Sequence, residues 1–125
     1  MRKTRALVAL GFALLVTPML MGATISFTAI NANPGGQASV LAAKGTIALG
    51  ANENRQSVIF TVTVKNSNPV QVNGVGATSD DTTWSASMSA AANTYNPCNA
   101  RLIYVDANGL MQQATDQNVT DQVVK

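Results

Sequence analysis

The sequence predicts an all-β protein: a small sandwich, jelly-roll or immunoglobulin-like, of about seven strands, preceded by an N-terminal hydrophobic signal or anchor segment. Three observations carry this. Residues 57–65, SVIFTVTVK, alternate apolar and polar side chains, the mark of a half-buried strand. Turn signals built on Asn, Pro, Gly and Asp recur roughly every 8–12 residues after residue 33. Arg2, Lys3 and Arg5 precede an uncharged stretch that runs from Ala6 to Ala43.

The apolar heart of that stretch is residues 6–30. As a helix it would extend roughly 37 Å, enough to span a hydrocarbon core. The basic flank would stay in the cytoplasm. Three readings stand side by side: a cleaved secretory signal with its exit at Gly22-Ala23, an uncleaved anchor, and a pilin-type leader cut close to the basic residues. Pro18 would kink a helix. Residues 24–30, TISFTAI, read instead as a strand. Strict alternation would place Ile25, Phe27 and Ala29 on one face, and Ser26, Thr28 and Ile30 on the other.

Asn33-Pro34-Gly35-Gly36 is a strong turn signal. Residues 37–41 and 46–49 read as a strand or a pair, interrupted at Lys44-Gly45. Residues 57–65 are the best strand. Asn66-Ser67-Asn68-Pro69 turns the chain into a partner strand with Val70, Val72 and Val75, where Gly74 and Gly76 suggest a bulge. Residues 82–88 form a strand with Trp84 inward. Residues 89–99 read as a loop ending at Asn96-Pro97. Residues 101–105 form a strand, and Asp106-Ala107-Asn108-Gly109 a hairpin turn. Residues 110–114 return, and residues 119–124 add a last strand. About 90 residues of β-structure make a small core, so assembly or strand donation from a neighbour would offset a deficit in stability.

Composition narrows the chemistry. The chain has 125 residues, no histidine and one cysteine, Cys98. Histidine-dependent nucleophilic catalysis, a disulfide within the chain and cysteine-based zinc sites are therefore excluded. The net charge of +2 is uneven. Beyond residue 5, Lys44, Arg55, Lys65, Arg101 and Lys125 face six acids, so the body is near −1. It has no clustered basic face of the kind nucleic acid requires.

The acids that could pair for glycoside hydrolysis are Asp80, Asp81, Asp106, Asp116 and Asp121. Asp80-Asp81 reads more simply as a solvated turn, and Asp106 as the hairpin residue. An EF-hand's later ligands are missing, and the glycines match neither a P-loop nor a dinucleotide fingerprint. No cofactor or metal is called for, and the chain reads as a non-enzyme. Cys98 reads as a loop residue, a free thiol or an intermolecular link. Asn118-Val119-Thr120 is a glycosylation sequon, meaningful if the chain is exported.

Residues 22–75 resemble the N-terminal part of the TasA/camelysin group of secreted fibre proteins, which includes archaeal bundling-pilus subunits. Gly22-Ala23-Thr24-Ile25-Ser26-Phe27 is similar to that group's signal exit. Ala43-Lys44-Gly45-Thr46-Ile47-Ala48-Leu49 resembles its small-x-Gly-Thr-apolar strand. Residues 60–70, FTVTVKNSNPV, resemble its strand, Asn-rich turn and strand unit. The resemblance implies donor-strand assembly, in which an N-terminal strand completes the sheet of the next subunit. Thr24, Ile25, Phe27 and Ile30 would form the donor, with Pro34, Gly35 and Gly36 as hinge. The same strand could equally pair within its own subunit.

The expected organisation is thus a signal or hydrophobic segment at 1–23, a donor strand and hinge at 24–36, and a β-sandwich at 37–125. The function expected is that of a pilus or biofilm-matrix fibre subunit at the cell surface. Its partners would be copies of itself and, through its N-terminus, the export machinery or membrane. Two alternatives are a type IV-like pilin with a helical core at 7–30 and a β head, and a membrane-anchored surface or virion protein that does not polymerise.

Overall fold

The computed structural model describes residues 22–67, 71–76 and 80–125. Among them, eight strands form two antiparallel sheets and there is no α-helix. The strands are β1 (Thr24–Ala32), β2 (Val40–Ala48), β3 (Asn54–Val64), β4 (Gln71–Gly76), β5 (Thr83–Ser89), β6 (Asn93–Val105), β7 (Met111–Asn118) and β8 (Gln122–Val124). One sheet has the order β1-β2-β5. The other has the order β4-β3-β6-β7, with β8 paired to the start of β6. Of the expected signal or anchor segment at 1–23, residues 1–21 lie outside the described residues.

Alternation explains the core. Val58, Phe60 and Val62 of β3 point inward, as do Leu41, Ala43 and Ile47 of β2 and Trp84, Ala86 and Met88 of β5. Beside β3 in the same sheet, and facing β2 and β5, β6 supplies Tyr95, Cys98, Ala100, Leu102 and Tyr104. Burying each large apolar side chain contributes roughly 1.5–3 kcal/mol. Among the described residues, no buried side-chain nitrogen or oxygen lacks a hydrogen-bond partner. The buried Tyr95 hydroxyl, for instance, donates to the Ala91 carbonyl at 2.6 Å.

Four expectations are corrected. β2 runs unbroken through Lys44-Gly45, because Gly45 is itself a buried ladder position. β4 pairs with β3 in continuous register from Gln71 to Gly76, without the bulge its glycines suggested. The expected loop over 89–99 is mostly strand: β6 begins at Asn93 and carries a cis Asn96–Pro97 bond. Proline has no N–H for a ladder, and the β3–β6 register shifts at this point, between Val62↔Cys98 and Val64↔Tyr95. Cys98 is accordingly a core residue with no exposed surface, which removes it as an intermolecular link from the folded chain.

Residues 24–30 form strand, so the helical core expected by the pilin alternative does not extend through them. Within the single chain β1 pairs with its own β2. Among the described residues, no helix is long and apolar enough to cross a membrane.

Candidate functional site

β1 is the edge strand of its sheet, and the groove that holds it is the candidate assembly site. Its ladder to β2 runs from Thr24↔Ala48 to Phe27↔Gly45, then from Ala29↔Lys44 to Ala32↔Leu41, with an irregularity between Phe27 and Ala29. Thr28 is thus an extra residue, a bulge. The bulge resets the alternation: Ile25 is buried, and Phe27, Ile30 and Ala32 pack against the core beside it. Ala29 and Ile30 therefore exchange the faces that strict alternation assigned to them. The donor anchors Ile25, Phe27 and Ile30 share one apolar face because of Thr28, whereas Thr24 is exposed and contributes through its place in the ladder.

An aromatic cluster receives Phe27. Its ring centroid lies 5.5 Å from Trp84 and 6.0 Å from Phe60, both edge-on. Edge-to-face pairs add roughly 0.5–1.5 kcal/mol beyond area burial. Gly45 stands between Phe27 and Trp84 in the ladder. A Cβ built on Gly45 would overlap the Ser26 carbonyl oxygen and lie 2.5 Å from Trp84 Nε1. Glycine is thus required here for close approach.

Two side chains from distant strands bind the β1 backbone at the bulge. Trp84 Nε1 donates to the Ser26 carbonyl at 3.1 Å. The Phe27 N–H donates to Asp116 Oδ2, on β7 of the other sheet, at 2.9 Å. The bulged Thr28 adds a third contact, its hydroxyl donating to the Lys44 carbonyl at 3.2 Å. Residue type and local pattern pointed to none of these; Asp116 is 89 residues away in sequence.

The hinge is a closed seven-residue loop, residues 33–39. Pro34–Gly36 form a 3-10 turn. Positive φ occurs at Gly35 and Gly36, and also at the non-glycine residues Asn33 (φ 55°) and Ser39 (φ 58°). Asn33 clasps Lys125: its Nδ2 donates to the Lys125 carbonyl at 3.1 Å, and its Oδ1 accepts the Lys125 N–H at 2.9 Å. The Ser39 N–H donates to the same carbonyl at 2.7 Å. The sequence marks Asn33-Pro34-Gly35-Gly36 as a turn and Pro34, Gly35 and Gly36 as the hinge, but gives no sign of Ser39, Lys125 or the clasp between Asn33 and Lys125.

The remaining candidates serve local structure. Asp80 accepts the N–H groups of Thr82 and Thr83, and the Thr82 bond foremost holds its carboxyl below the ordinary value of 3.8. Asp106 caps its hairpin; the Leu110 N–H, then Gln112 and Asn108, hold it low. Asp121 is held low by the Asn96 amide and by Lys65 at 2.6 Å. Asp81 pairs with Arg55. Burial pushes the Cys98 thiol up to about 11. Asn118, half-buried at the end of β7, accepts the Thr120 N–H at 2.9 Å. Among the described residues, no three Asp, Glu or Cys side chains are grouped to hold a metal ion.

Comparison with protein-family models, with curated proteins and with solved structures finds no match.

Proposed function

We propose that the chain is the structural subunit of an extracellular filament, a pilus or biofilm-matrix fibre, that polymerises by donor-strand complementation. β1 of one copy fills the groove that its own β1 fills in the single chain. The observation that carries this reading is the attachment of β1. It is an edge strand with a full apolar face, and the chain passes from it into the rest of the sandwich through the loop 33–39. Left-handed backbone costs on the order of 1 kcal/mol at a residue such as Ser39 and less at Asn33, since asparagine tolerates that region. Opening the loop to reach a neighbour would release that strain, and short strained hinges favour exchange of the strand they hold.

The basic residues and apolar run at the N-terminus support export to the cell surface, with the membrane or export machinery as a transient partner. The strand order supports the immunoglobulin-like form of the sandwich. The first, second and fifth strands share one sheet, and the third, sixth and seventh the other, as in that topology; the fourth lies beside the third, where the seven-strand constant form places it with the fifth.

The reading is tested on the purified mature protein by electron microscopy. Filaments are expected from a chain beginning near Ala23 or Thr24, and their loss is expected in Phe27→Asp. Protein that stays monomeric at high concentration contradicts it.

A further inference from the structure

We infer that the groove is built to receive a bulged strand, and that Trp84 and Asp116 are the residues that select it. This rests on the donor-strand reading and adds a recognition rule to it: the partner is a strand of pattern apolar-x-aromatic-x-x-apolar-x-small, as in Ile25, Phe27, Ile30 and Ala32 of a second copy.

Each buried carbonyl and N–H needs a partner, and a bulge disturbs the ladder that normally supplies one. The groove supplies a fixed donor, Trp84 Nε1, for the Ser26 carbonyl and a fixed acceptor, Asp116 Oδ2, for the Phe27 N–H. The two come from opposite sheets and meet consecutive residues immediately before Thr28. Gly45 removes the side chain that would block the displaced carbonyl. A regular strand could bury the same apolar side chains, yet it would not place these two backbone groups against Trp84 and Asp116. Fit to the hydrophobic pockets is thus separable from fit to the bulge.

Deletion of Thr28 separates them. It restores strict alternation and keeps Ile25, Phe27 and Ile30 on one face. Mature donors carrying Ser26→Cys, with or without that deletion, compete for mature acceptors carrying Thr46→Cys, positions that face each other in the ladder. Cys98→Ala is present throughout, and interchain disulfides in the polymer are counted.

The unaltered donor is expected to win by about tenfold, the worth of one to two side-chain-to-backbone hydrogen bonds. The preference is expected to shrink on acceptors carrying Trp84→Phe and Asp116→Ala, leaving only the part that the Thr28 hydroxyl's bond to the Lys44 carbonyl supplies; an undiminished preference on those acceptors overturns the inference. Equal capture of both donors overturns the inference and leaves strand donation intact. Filaments without any such link overturn strand donation itself. The inference is then judged in the single chain by denaturation: deletion of Thr28 and the Trp84→Phe/Asp116→Ala pair should be non-additive, and additivity overturns it.

Discussion

The indole nitrogen of Trp84 reaches across Gly45 to the Ser26 carbonyl oxygen, 3.1 Å away, and so ties the third strand of its sheet directly to the first. The middle strand must be bare at that point for the bond to form. One tryptophan therefore contributes to the core, to the seat for Phe27 and to the hold on the β1 backbone.

Gly45→Ala is expected to destabilise the chain by roughly 1–3 kcal/mol, the usual cost of overpacking a filled interior. Its Cβ has backbone in its way, which cannot swing aside as a side-chain tip can. Ala48→Ser, at an exposed position of the same strand, should stay within about 0.5 kcal/mol. Urea denaturation monitored by Trp84 fluorescence measures both.

The hinge predicts opposite effects from two substitutions. Ser39→Gly relieves left-handed strain and should stabilise the closed single chain by roughly 0.5–1 kcal/mol, slowing polymerisation. Asn33→Ala removes the clasp on Lys125 and should destabilise it by about 1–2 kcal/mol. Denaturation midpoints and polymerisation rates at equal concentration give the comparison.

The Cys98 thiol should be inert in the folded chain. It is fully buried, and its pKa is raised to about 11, so little thiolate forms near pH 8. A thiol reagent should label it only at the rate of unfolding and at once in denaturant. Rapid labelling of native protein would place Cys98 at the surface.

Acid should weaken the sandwich in a defined window. Asp80, Asp106 and Asp121 are all held below 3.8 by hydrogen bonds, with Lys65 also acting on Asp121. Their contribution is complete above that value and is lost as pH falls through their lower folded values. Stability should therefore hold from neutrality to about pH 4 and drop below it. Asp106→Ala should flatten that drop in denaturation midpoints measured across pH.

Much of the fold was legible because local pattern and tertiary structure agree. The β3 alternation, the inward Trp84 and the Asp106–Gly109 turn follow from neighbouring residues alone. Local pattern is silent where a strand absorbs an irregularity. Pro97 is a breaker by local rule, yet β6 passes through it with a register shift. Ile30 changes face because Thr28 bulges, and a bulge leaves no mark in apolar periodicity. Within the site, the donor side chains were legible as apolar residues in a strand. Asp116 and Lys125 were not, since what they bind is backbone folded against them from far along the chain.

Strand donation is tested most directly by where one covalent link forms. Ser26 and Thr46 face each other, their hydroxyls 2.8 Å apart at an exposed position, so cysteines there should disturb little. Copies carrying only Ser26→Cys are mixed with copies carrying only Thr46→Cys, polymerised and oxidised. Disulfide-linked pairs of unlike chains are expected in the filaments. Filaments that give no such pair, while one chain carrying both cysteines closes on itself, would contradict donation of β1.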